Sequence, residues 1–593
     1  MSSASEPQRS SSMRAMAIIA TCALLYLGFA WLIDDRYYQL ILTITPIWAA
    51  VGVAWNLFSG YSGLVSFGHA AFFGIGAFTV ALLQVHAGIS PWLGIPLAGI
   101  VGGVAGVLIG YPTFRLRGHY FALAMLAYPL VLLYVFQWLG YQEVTLPMVR
   151  NAPAAYMQFS DQRVYVMLAV LLLIGMLAIN LYIDRSRFGL SLRAINENEA
   201  AAMASGINPL AWKLKAIALS ASLTALAGGL YAVVLLIVTP DSVFGLLASS
   251  RALIVALFGG IGTVAGPVIG ALVLIPLGEI LHVQLAERLP GIQGVVLGLA
   301  IMAVVSLCPQ GILPWIQARI GIGRAQSSRR ALRFDAAPFV REATTSTHGP
   351  ALLSVRDVAV SFGGVHALRD VSFDANQGEI LGVVGPNGAG KTTLFNILNG
   401  FISPSAGHVT FEGRELTGQA AYQICRAGIG RTFQVMRPFA RLSVLHNVIV
   451  GAFAHESQDA PAYDKARQAL RRVGIGELEQ AMAASLTTIE LRLMELARAL
   501  ACDPRLLLLD EILAGLGADE VEHMLAVIAS IRRQGVTIII IEHTMHAMVR
   551  IADRLVVLDH GQVLECGEPQ LVINLPSVIE AYLGNRWAGH ATA

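Results

Sequence analysis

The sequence predicts a polytopic α-helical membrane domain of about nine to ten spans, followed by an α/β domain with a phosphate-binding loop. Three observations predict this fold class. The mean hydropathy of the chain is +0.64, and only 13% of its 593 residues are charged, against about 25% in soluble domains. Apolar runs of about 20 residues follow one another through the N-terminal half. Residues 385–392 match the phosphate-loop pattern G-x-x-x-x-G-K-[ST].

Composition also excludes some classes of function. The net charge of +2 gives no basic surface of the kind that binds nucleic acid, so we expect no nucleic-acid partner. The five cysteines lie far apart in sequence, which suggests neither a disulfide framework nor a zinc site. We therefore expect free thiols, as in a membrane segment joined to a domain in a reducing cytosol.

The predicted organisation has four parts. A polar N-terminal tail (1–14) precedes the membrane domain (15–320), and a flexible Arg-, Ala-, Thr- and Ser-rich linker (321–350) leads to the α/β domain (351–593). Within the membrane domain we expect the spans to lie at 15–33, 38–58, 64–85, 92–112, 120–139, 164–182, 211–238, 253–281 and 291–307.

Arginine clusters orient these spans. They lie before the first span, after the fourth and after the sixth, which places all three clusters and the N-terminus in the cytoplasm. The α/β domain must also be cytoplasmic, so the number of crossings after Arg193 must be even. A Gly-rich break at 258–267 is expected to divide the long 253–281 run into a short helix and a full one. The break either lines a transport pathway or, as we favour, is a tight packing kink.

His69 is the clearest polar residue in the middle of a span. Ionisable groups inside a membrane are often functional. No charged partner is obvious near it in the sequence, so a hydrogen bond to a neighbouring helix is the favoured interpretation.

The phosphate loop has the expected context, with a strand at 379–384 before it and a helix at 393–398 after it. Glycines let backbone N–H groups approach the phosphates of ATP, Lys391 reaches the β- and γ-phosphates, and the Thr392 hydroxyl ligates Mg²⁺. The predicted ATP-binding residues in and next to this loop are Gly385, Asn387, Gly388, Gly390, Lys391, Thr392 and Thr393.

A second apolar strand, 506–509, is followed by Asp510 and Glu511. Asp510 is predicted to hold Mg²⁺, and Glu511 to polarise the attacking water. An acidic pair after an apolar strand is a weak signal alone and becomes strong downstream of a phosphate loop. Two further polar residues belong to the series: Gln434 lies between the phosphate loop and Asp510, and His543 follows the strand 536–541. Alone, each would more often be a surface or capping residue.

The series of phosphate loop, Gln434, Asp510–Glu511 and His543 resembles the ATP-binding subunit of ABC transporters. The resemblance implies that Gln434 senses Mg²⁺ and the membrane domain, and that His543 contacts the γ-phosphate. It also implies that Phe362 stacks on adenine, for which the alternative is a core aromatic of a strand.

One element departs from this family. The Leu-Ser-Gly-Gly-Gln signature, which contacts the γ-phosphate held by the opposite subunit, is expected ahead of a helix at 491–500. The matching segment is Leu486, Thr487, Thr488, Ile489 and Glu490. The serine and the glycines are gone, and Ile489 is expected to crowd the approach of the phosphate. The expected partner is therefore a second, different ATPase subunit with an intact signature.

Segments of the membrane half resemble permease subunits of high-affinity branched-chain amino-acid importers: 56–70, 115–121, 186–207 and 258–270. The chain thus resembles a natural fusion of a permease and an ATPase subunit. Arg193, Glu197 and Glu199 belong to a cytoplasmic segment with one predicted helix at 194–205, expected to dock on the ATPase and couple hydrolysis to transport. The alternative is an amphipathic helix at the membrane surface.

The resemblance implies ATP-driven uptake of a small polar solute, such as a branched-chain amino acid, an amide, urea or an organic acid. The implied location is the bacterial inner membrane, in contact with lipid. The implied partners are a second permease subunit, the second ATPase subunit and a periplasmic solute-binding protein. The alternative is an ABC exporter half-transporter for lipids or drugs, against which the short cytoplasmic loops and the number of spans argue.

Overall fold

The computed structural model describes residues 6–116, 118–149, 151–285, 310–320 and 349–583, with isolated positions between 295 and 308. The chain divides into two compact units: residues 1–196 with 210–327, and residues 197–209 with 328–593. Almost all of the predicted linker and most of the predicted span 291–307 lie outside the described residues. The segment 197–209 lies between membrane helices in sequence, yet it belongs to the second unit.

The first unit is helical. Its helices are α1 (Glu6–Trp31), α2 (Arg36–Trp55), α3 (His69–Ala87), α4 (Pro91–Thr113), α5 (His119–Trp138), α6 (Gln162–Arg185), α7 (Arg187–Glu197, the last residue of which belongs to the second unit), α9 (Pro209–Leu235), α10 (Pro240–Phe244), α11 (Leu246–Gly259), α12 (Gly266–Leu285) and α13 (Ile312–Ile320). Two short strands, β1 (Val144–Thr145) and β2 (Ile237–Val238), pair antiparallel.

Among the described residues, seven helices or helix pairs are long and apolar enough to cross a membrane, and two apolar helices, Ala15–Trp31 and Gly266–Leu281, are shorter. The predicted helical membrane domain is therefore confirmed. Helix α1 begins at Glu6, so most of the predicted polar tail is helical.

Helix α2 is the centre of this unit, buried along most of its length and packed against α6, α11 and α12. Close packing elsewhere depends on small residues. Helix α4 carries glycines at four-residue spacing, and a Cβ at Gly102 would lie 2.3 Å from the Cβ of Ala225 on α9. At Gly106 a Cβ would lie 2.7 Å from that of Ala221. Such small-residue stripes let membrane helices approach each other closely.

The predicted Gly-rich break is confirmed, since α11 ends at Gly259 and α12 begins at Gly266. Asn56, in a π-helical turn after α2, bridges the broken backbone. Its Nδ2 donates to the carbonyl of Thr263 (2.8 Å), and its Oδ1 accepts from the N–H of Gly262 (2.7 Å). A Cβ at Gly259 would lie 1.7 Å from the carbonyl oxygen of Gly266. These contacts satisfy the freed backbone groups and fit the interpretation as a packing kink.

His69 begins α3 and is almost fully buried. Its Nδ1 lies 3.0 Å from Ser66 Oγ, and its Nε2 lies 2.8 Å from Ser220 Oγ on α9. Both ring nitrogens therefore have partners, as the interpretation of His69 as a link between helices requires.

The second unit contains two sheets. The six-stranded sheet has the order β12-β11-β5-β10-β9-β8, and β11, β5, β10, β9 and β8 run parallel. The four-stranded antiparallel sheet has the order β4-β3-β6-β7. The strands are β3 (Ala351–Phe362), β4 (Val365–Asn376), β5 (Ile380–Val384), β6 (Ala406–Phe411), β7 (Arg414–Glu415), β8 (Ile429–Arg431), β9 (Leu506–Asp510), β10 (Thr537–Ile541), β11 (Arg554–Asp559) and β12 (Gln562–Gly567).

The helices of the second unit are α8 (Glu199–Ala204), α14 (Lys391–Leu398), α15 (Ala421–Ala427), α16 (Val444–Ala452), α17 (Asp459–Arg472), α18 (Thr488–Leu500), α19 (Ala518–Arg533), α20 (Met545–Ile551), α21 (Pro569–Val572) and α22 (Pro576–Leu583). Every residue of β5, β9 and β10 is buried. Continuously apolar strands are typical of a parallel sheet covered on both faces.

Candidate active site

Four neighbouring parallel strands end at one edge of the large sheet. Strand β5 leads into the phosphate loop, β10 into His543, β9 into Glu511, and β8 into Gln434. Because the carboxyl ends of parallel strands share one edge, residues far apart in sequence meet there. The predicted nucleotide-site residues other than Phe362 are thereby brought to one place.

The phosphate loop connects β5 to the N-terminus of α14. Gly390 caps this helix in the left-handed region (φ 100°), and a Cβ there would lie 2.6 Å from the carbonyl of Ala367. Only glycine fits such a position without strain. Lys391 Nζ donates to the carbonyls of Gly385 (2.7 Å) and Pro386 (2.9 Å). Burial lowers the pKa of Lys391 from its usual value, and the nearby Glu511 and Asp510 carboxylates oppose this effect.

The other loop residues are open to solvent to different degrees. Asn387, Gly388 and Thr392 are exposed, and Thr393 is half-buried. The backbone N–H groups at the start of α14 form the kind of positive helix end that binds phosphate.

Glu511 is held by two side chains. Gln434 Nε2 donates to its Oε2 at 2.9 Å, and His543 Nε2 lies 2.5 Å from its Oε1. Its backbone is left-handed (φ 48°), an uncommon conformation for a residue other than glycine, and its N–H donates to the carbonyl of Ile541 (2.9 Å). The Glu511 carboxylate is therefore fixed in direction beside the phosphate loop, as a group that orients water requires.

Asp510 is buried at the end of β9, and its Oδ2 accepts from Arg431 at 3.1 Å. Its Oδ1 has no hydrogen-bond partner within the described part of the chain. Burial raises the pKa of Asp510, and Arg431 opposes that rise. A cavity of about 290 Å³ is lined by Asp510, Thr392 and Gln434, together with Arg431 and Arg437.

These groups fit Mg²⁺. A hydroxyl, an amide oxygen and a carboxylate with one unpaired buried oxygen are hard oxygen ligands of the type that Mg²⁺ prefers. Among the described residues, no group of three or more His, Cys, Asp or Glu side chains could hold a metal ion. Mg²⁺ is usually bound through one or two carboxylates together with substrate phosphates.

Phe362 ends β3 and is 50% exposed. It is not a core aromatic, so that alternative is wrong, and an open ring is available for stacking.

The degenerate signature segment forms the start of a helix. Helix α18 begins at Thr488, whereas the sequence predicted a helix only from 491. The Glu490 carboxylate accepts from the N–H of Thr487 (2.9 Å), as in a capping box. Leu486 is half-buried and Thr487 and Thr488 are exposed, while Ile489 is only 2% exposed. The expectation that Ile489 crowds an approaching phosphate is therefore wrong: Ile489 is part of the core.

The predicted coupling helix is two helices. Helices α7 and α8 are separated at Asn198, whose side chain accepts from the N–H of Ala201 (2.9 Å), so the single helix predicted at 194–205 is wrong. An Asn that caps the second helix explains the break. Helix α8 packs on α15 of the ATP-binding unit.

Gly206 and Glu197 connect the segment 197–209 to the rest of the second unit. Arg426 Nε donates to the carbonyl of Gly206 at 3.1 Å. Gly206 is left-handed (φ 81°), and a Cβ there would lie 2.7 Å from the Cβ of Ala454. Glu197 lies 3.5 Å from Arg441, whose side chain is 84% exposed.

The other two predicted coupling residues lie differently. Arg193 belongs to the first unit, where it pairs with Asp184 and stacks on Tyr61 (5.0 Å to the ring centroid). It therefore braces α7 against α6. Glu199 is exposed in the first turn of α8, where a negative charge favours the helix.

Two residues of the site were not predicted from the sequence. Arg431 pairs with Asp510, and Glu542, next to His543, accepts from the N–H of Leu513 at 2.7 Å. Burial raises the pKa of Glu542 from 4.5 to about 7. Arg431 ends strand β8 and Glu542 directly follows strand β10. A charged residue at the end of an apolar strand is the one feature of the sequence that could have indicated them.

Comparison with known proteins agrees with this geometry. Residues 37–305 match the family described as branched-chain amino acid transport system / permease component, and residues 368–514 match the ABC transporter family. The high-affinity branched-chain amino acid transport ATP-binding protein LivG of Salmonella typhimurium is 38% identical over 249 residues, 39% of this chain and 98% of the relative. The corresponding protein BraF of Pseudomonas aeruginosa is 34% identical over 249 residues, with the same coverage of both chains.

Among solved structures, this chain is similar to a nucleotide-free ATP-binding cassette from an ABC transporter. The two are 28% identical with a TM-score of 0.37, and the match covers 40% of this chain and 100% of the cassette. The membrane helices and the nucleotide site define a membrane-embedded transport protein that binds and hydrolyses ATP. The chain belongs to the ABC transporter family of the branched-chain amino-acid type, with permease and ATP-binding parts in one polypeptide. The exporter alternative is not favoured.

Proposed function

We propose that this chain supplies one permease and one ATPase to a binding-protein-dependent importer in the bacterial inner membrane. The proposed solute is a branched-chain amino acid or a chemically similar small polar molecule. The names of LivG and BraF, which cover branched-chain amino-acid transport, support this substrate class.

One observation carries the proposal: the segment 197–209 lies in sequence between α6 and α9 but folds within the ATP-binding unit. Its helix α8 packs on α15, and Gly206 accepts a hydrogen bond from Arg426. A movement of the ATP-binding unit during its nucleotide cycle is thus delivered to both flanking membrane helices through short connections.

The nucleotide site gives each residue a task. The loop and Lys391 hold the phosphates, and Phe362 stacks on the base. Thr392, Gln434 and Asp510 would hold Mg²⁺, which neutralises charge on the phosphate oxygens when bound. Glu511, aligned by Gln434 and His543, orients the attacking water.

The signature segment supports a heteromeric assembly. In this chain the N–H of Thr487 is engaged by Glu490, and Ile489 is in the core. The segment therefore offers an opposing nucleotide few of the backbone donors that a glycine-rich turn offers. The proposed complex contains a second ATPase with an intact signature, a second permease and a periplasmic solute-binding protein.

Reconstitution tests this proposal. The chain is reconstituted in liposomes with a second permease subunit, a second ATPase subunit and a periplasmic solute-binding protein, and ATP-dependent accumulation of radiolabelled leucine, isoleucine and valine is measured. We expect uptake that requires ATP and the binding protein, and hydrolysis by the mixed complex that exceeds hydrolysis by this chain alone. Full-rate, coupled hydrolysis by a homodimer of this chain would contradict the heteromeric assembly. ATP-driven release of solute instead of uptake would contradict the importer.

A further inference from the structure

Arg431 is buried beside the phosphate loop, where a charged side chain is costly. Its Nη2 donates to Asp510 Oδ2 at 3.1 Å and its Nη1 to Asn396 Oδ1 at 2.8 Å. Its guanidinium lies 5.2 Å from the ring centroid of Phe433 and 5.7 Å from that of Phe401. The side chain is 3% exposed and that of Asp510 is 1% exposed. Hydrogen bonds and ring faces on several sides hold the guanidinium in one position.

This fixed position determines how Asp510 is presented. A carboxylate has two oxygens, and Arg431 engages only Oδ2. Oδ1 keeps no hydrogen-bond partner among the described residues, and Asp510 lines the same cavity as Thr392 and Gln434. An isolated buried carboxylate would rotate toward any donor or take up a proton. The hydrogen bond from Arg431 to Oδ2 holds the carboxylate in one orientation and leaves Oδ1 for a ligand in the cavity.

We propose that Arg431 is a positioning residue of the Mg²⁺ site, which orients Asp510 so that Oδ1 is presented to the metal bound with ATP. This inference rests on the proposed function of Asp510 as a Mg²⁺ ligand. In this proposal Arg431 acts through Asp510 and is not itself a ligand of the metal. Outer partners of this type commonly contribute 10- to 100-fold to metal affinity.

The chain offers a matched control. Arg437 lines the same cavity, and its guanidinium stacks on Phe433 at 4.5 Å. The R437M variant removes the same charge from the same cavity as R431M. If charge in the cavity were all that mattered, the two variants would behave alike.

The test measures binding of a fluorescent ATP analogue to the assembled complex as Mg²⁺ is added. Binding in EDTA, without free Mg²⁺, is the reference. We expect R431M to raise the Mg²⁺ concentration for half-maximal binding by about 10- to 100-fold, with Mg²⁺-free binding unchanged. We expect R437M to raise this concentration much less than R431M does, and R431K to recover most of the loss. R431Q, which removes the charge and shortens the side chain, is measured in parallel in case R431M does not fold, and we expect it to raise the same Mg²⁺ concentration with Mg²⁺-free binding unchanged.

Equal shifts in R431M and R437M would overturn the proposal. It would also be overturned if the R431 variants weakened Mg²⁺-free and Mg²⁺-dependent binding to the same extent, because that is the result of a general structural defect. The readout does not depend on transport. A complex that binds Mg²⁺–ATP as described but takes up no amino acid would refute the proposed substrate and leave the role of Arg431 intact.

Discussion

The contact at Gly206 leads to a quantitative prediction about coupling. Replacing Gly206 with alanine puts a Cβ 2.7 Å from the Cβ of Ala454, on a residue whose φ is 81°. The left-handed backbone costs a non-glycine residue about 1–2 kcal/mol. Overpacking against Ala454 adds about 1–3 kcal/mol. The G206A substitution is therefore expected to weaken docking of 197–209 on the ATP-binding unit by about 2–5 kcal/mol.

The ion pair between Glu197 and Arg441 is expected to matter less. Its atoms are 3.5 Å apart and the Arg441 side chain is 84% exposed. Exposed pairs of this kind contribute about 0.2–1 kcal/mol. E197K should therefore reduce coupling by only a few-fold, although the charge is reversed.

The assay is the number of solute molecules taken up per ATP hydrolysed in proteoliposomes. We expect G206A to lower this ratio strongly while hydrolysis continues, and E197K to lower it slightly. The double variant G206A/A454G should recover part of the loss, because the Cβ that overpacks is removed and only the backbone strain remains. Wild-type coupling in G206A, together with a complete loss in E197K, would refute this reasoning.

Three further predictions concern stability, measured as the midpoint of thermal unfolding of the purified full chain. Burial raises the pKa of Glu542 from 4.5 to about 7, so its contribution to stability is present below pH 4.5 and is lost as pH rises through 7. E542Q should thus stabilise the protein at pH 8 by about 3 kcal/mol and change little at pH 4.5; an equal effect at both values would contradict the burial argument. I489G, which moves the signature toward its usual glycine, should destabilise by about 3 kcal/mol or more, because Ile489 is 2% exposed; unchanged stability would place Ile489 outside the core. N56A leaves the N–H of Gly262 and the carbonyl of Thr263 without their partner and should cost about 2 kcal/mol or more; a neutral result would mean that other groups satisfy the break.

Much of the fold follows from local sequence. The apolar runs predict the membrane helices because the bilayer requires about 20 apolar residues per span. Strands β9 and β10 were predicted because continuously apolar segments are typical of a covered parallel sheet, and β5 was predicted as the strand that precedes the phosphate loop. The phosphate loop was predicted because its glycines and Lys391 form one uninterrupted motif.

Other features depend on partners distant in sequence. The break in the helix between Glu197 and Glu199 depends on the hydrogen bond that the Asn198 side chain accepts from the N–H of Ala201. The local sequence is compatible both with Asn198 inside one helix and with Asn198 as the cap of a second helix. The burial of Ile489 depends on how α18 packs, and Arg431 acquires its partner Asp510 only when β8 and β9 lie side by side. Periodicity alone does not specify these long-range contacts.

The most direct test of ATP-driven transport by this chain is leucine uptake by the reconstituted complex carrying E511Q. Gln434 and His543 hold the Glu511 carboxylate at 2.9 and 2.5 Å, and E511Q removes the negative charge needed to polarise water while keeping a similar shape. We predict that ATP binding is retained and that hydrolysis and uptake fall together by at least about 100-fold. Wild-type uptake or hydrolysis in E511Q would contradict the assignment of Glu511 as the catalytic base that powers transport.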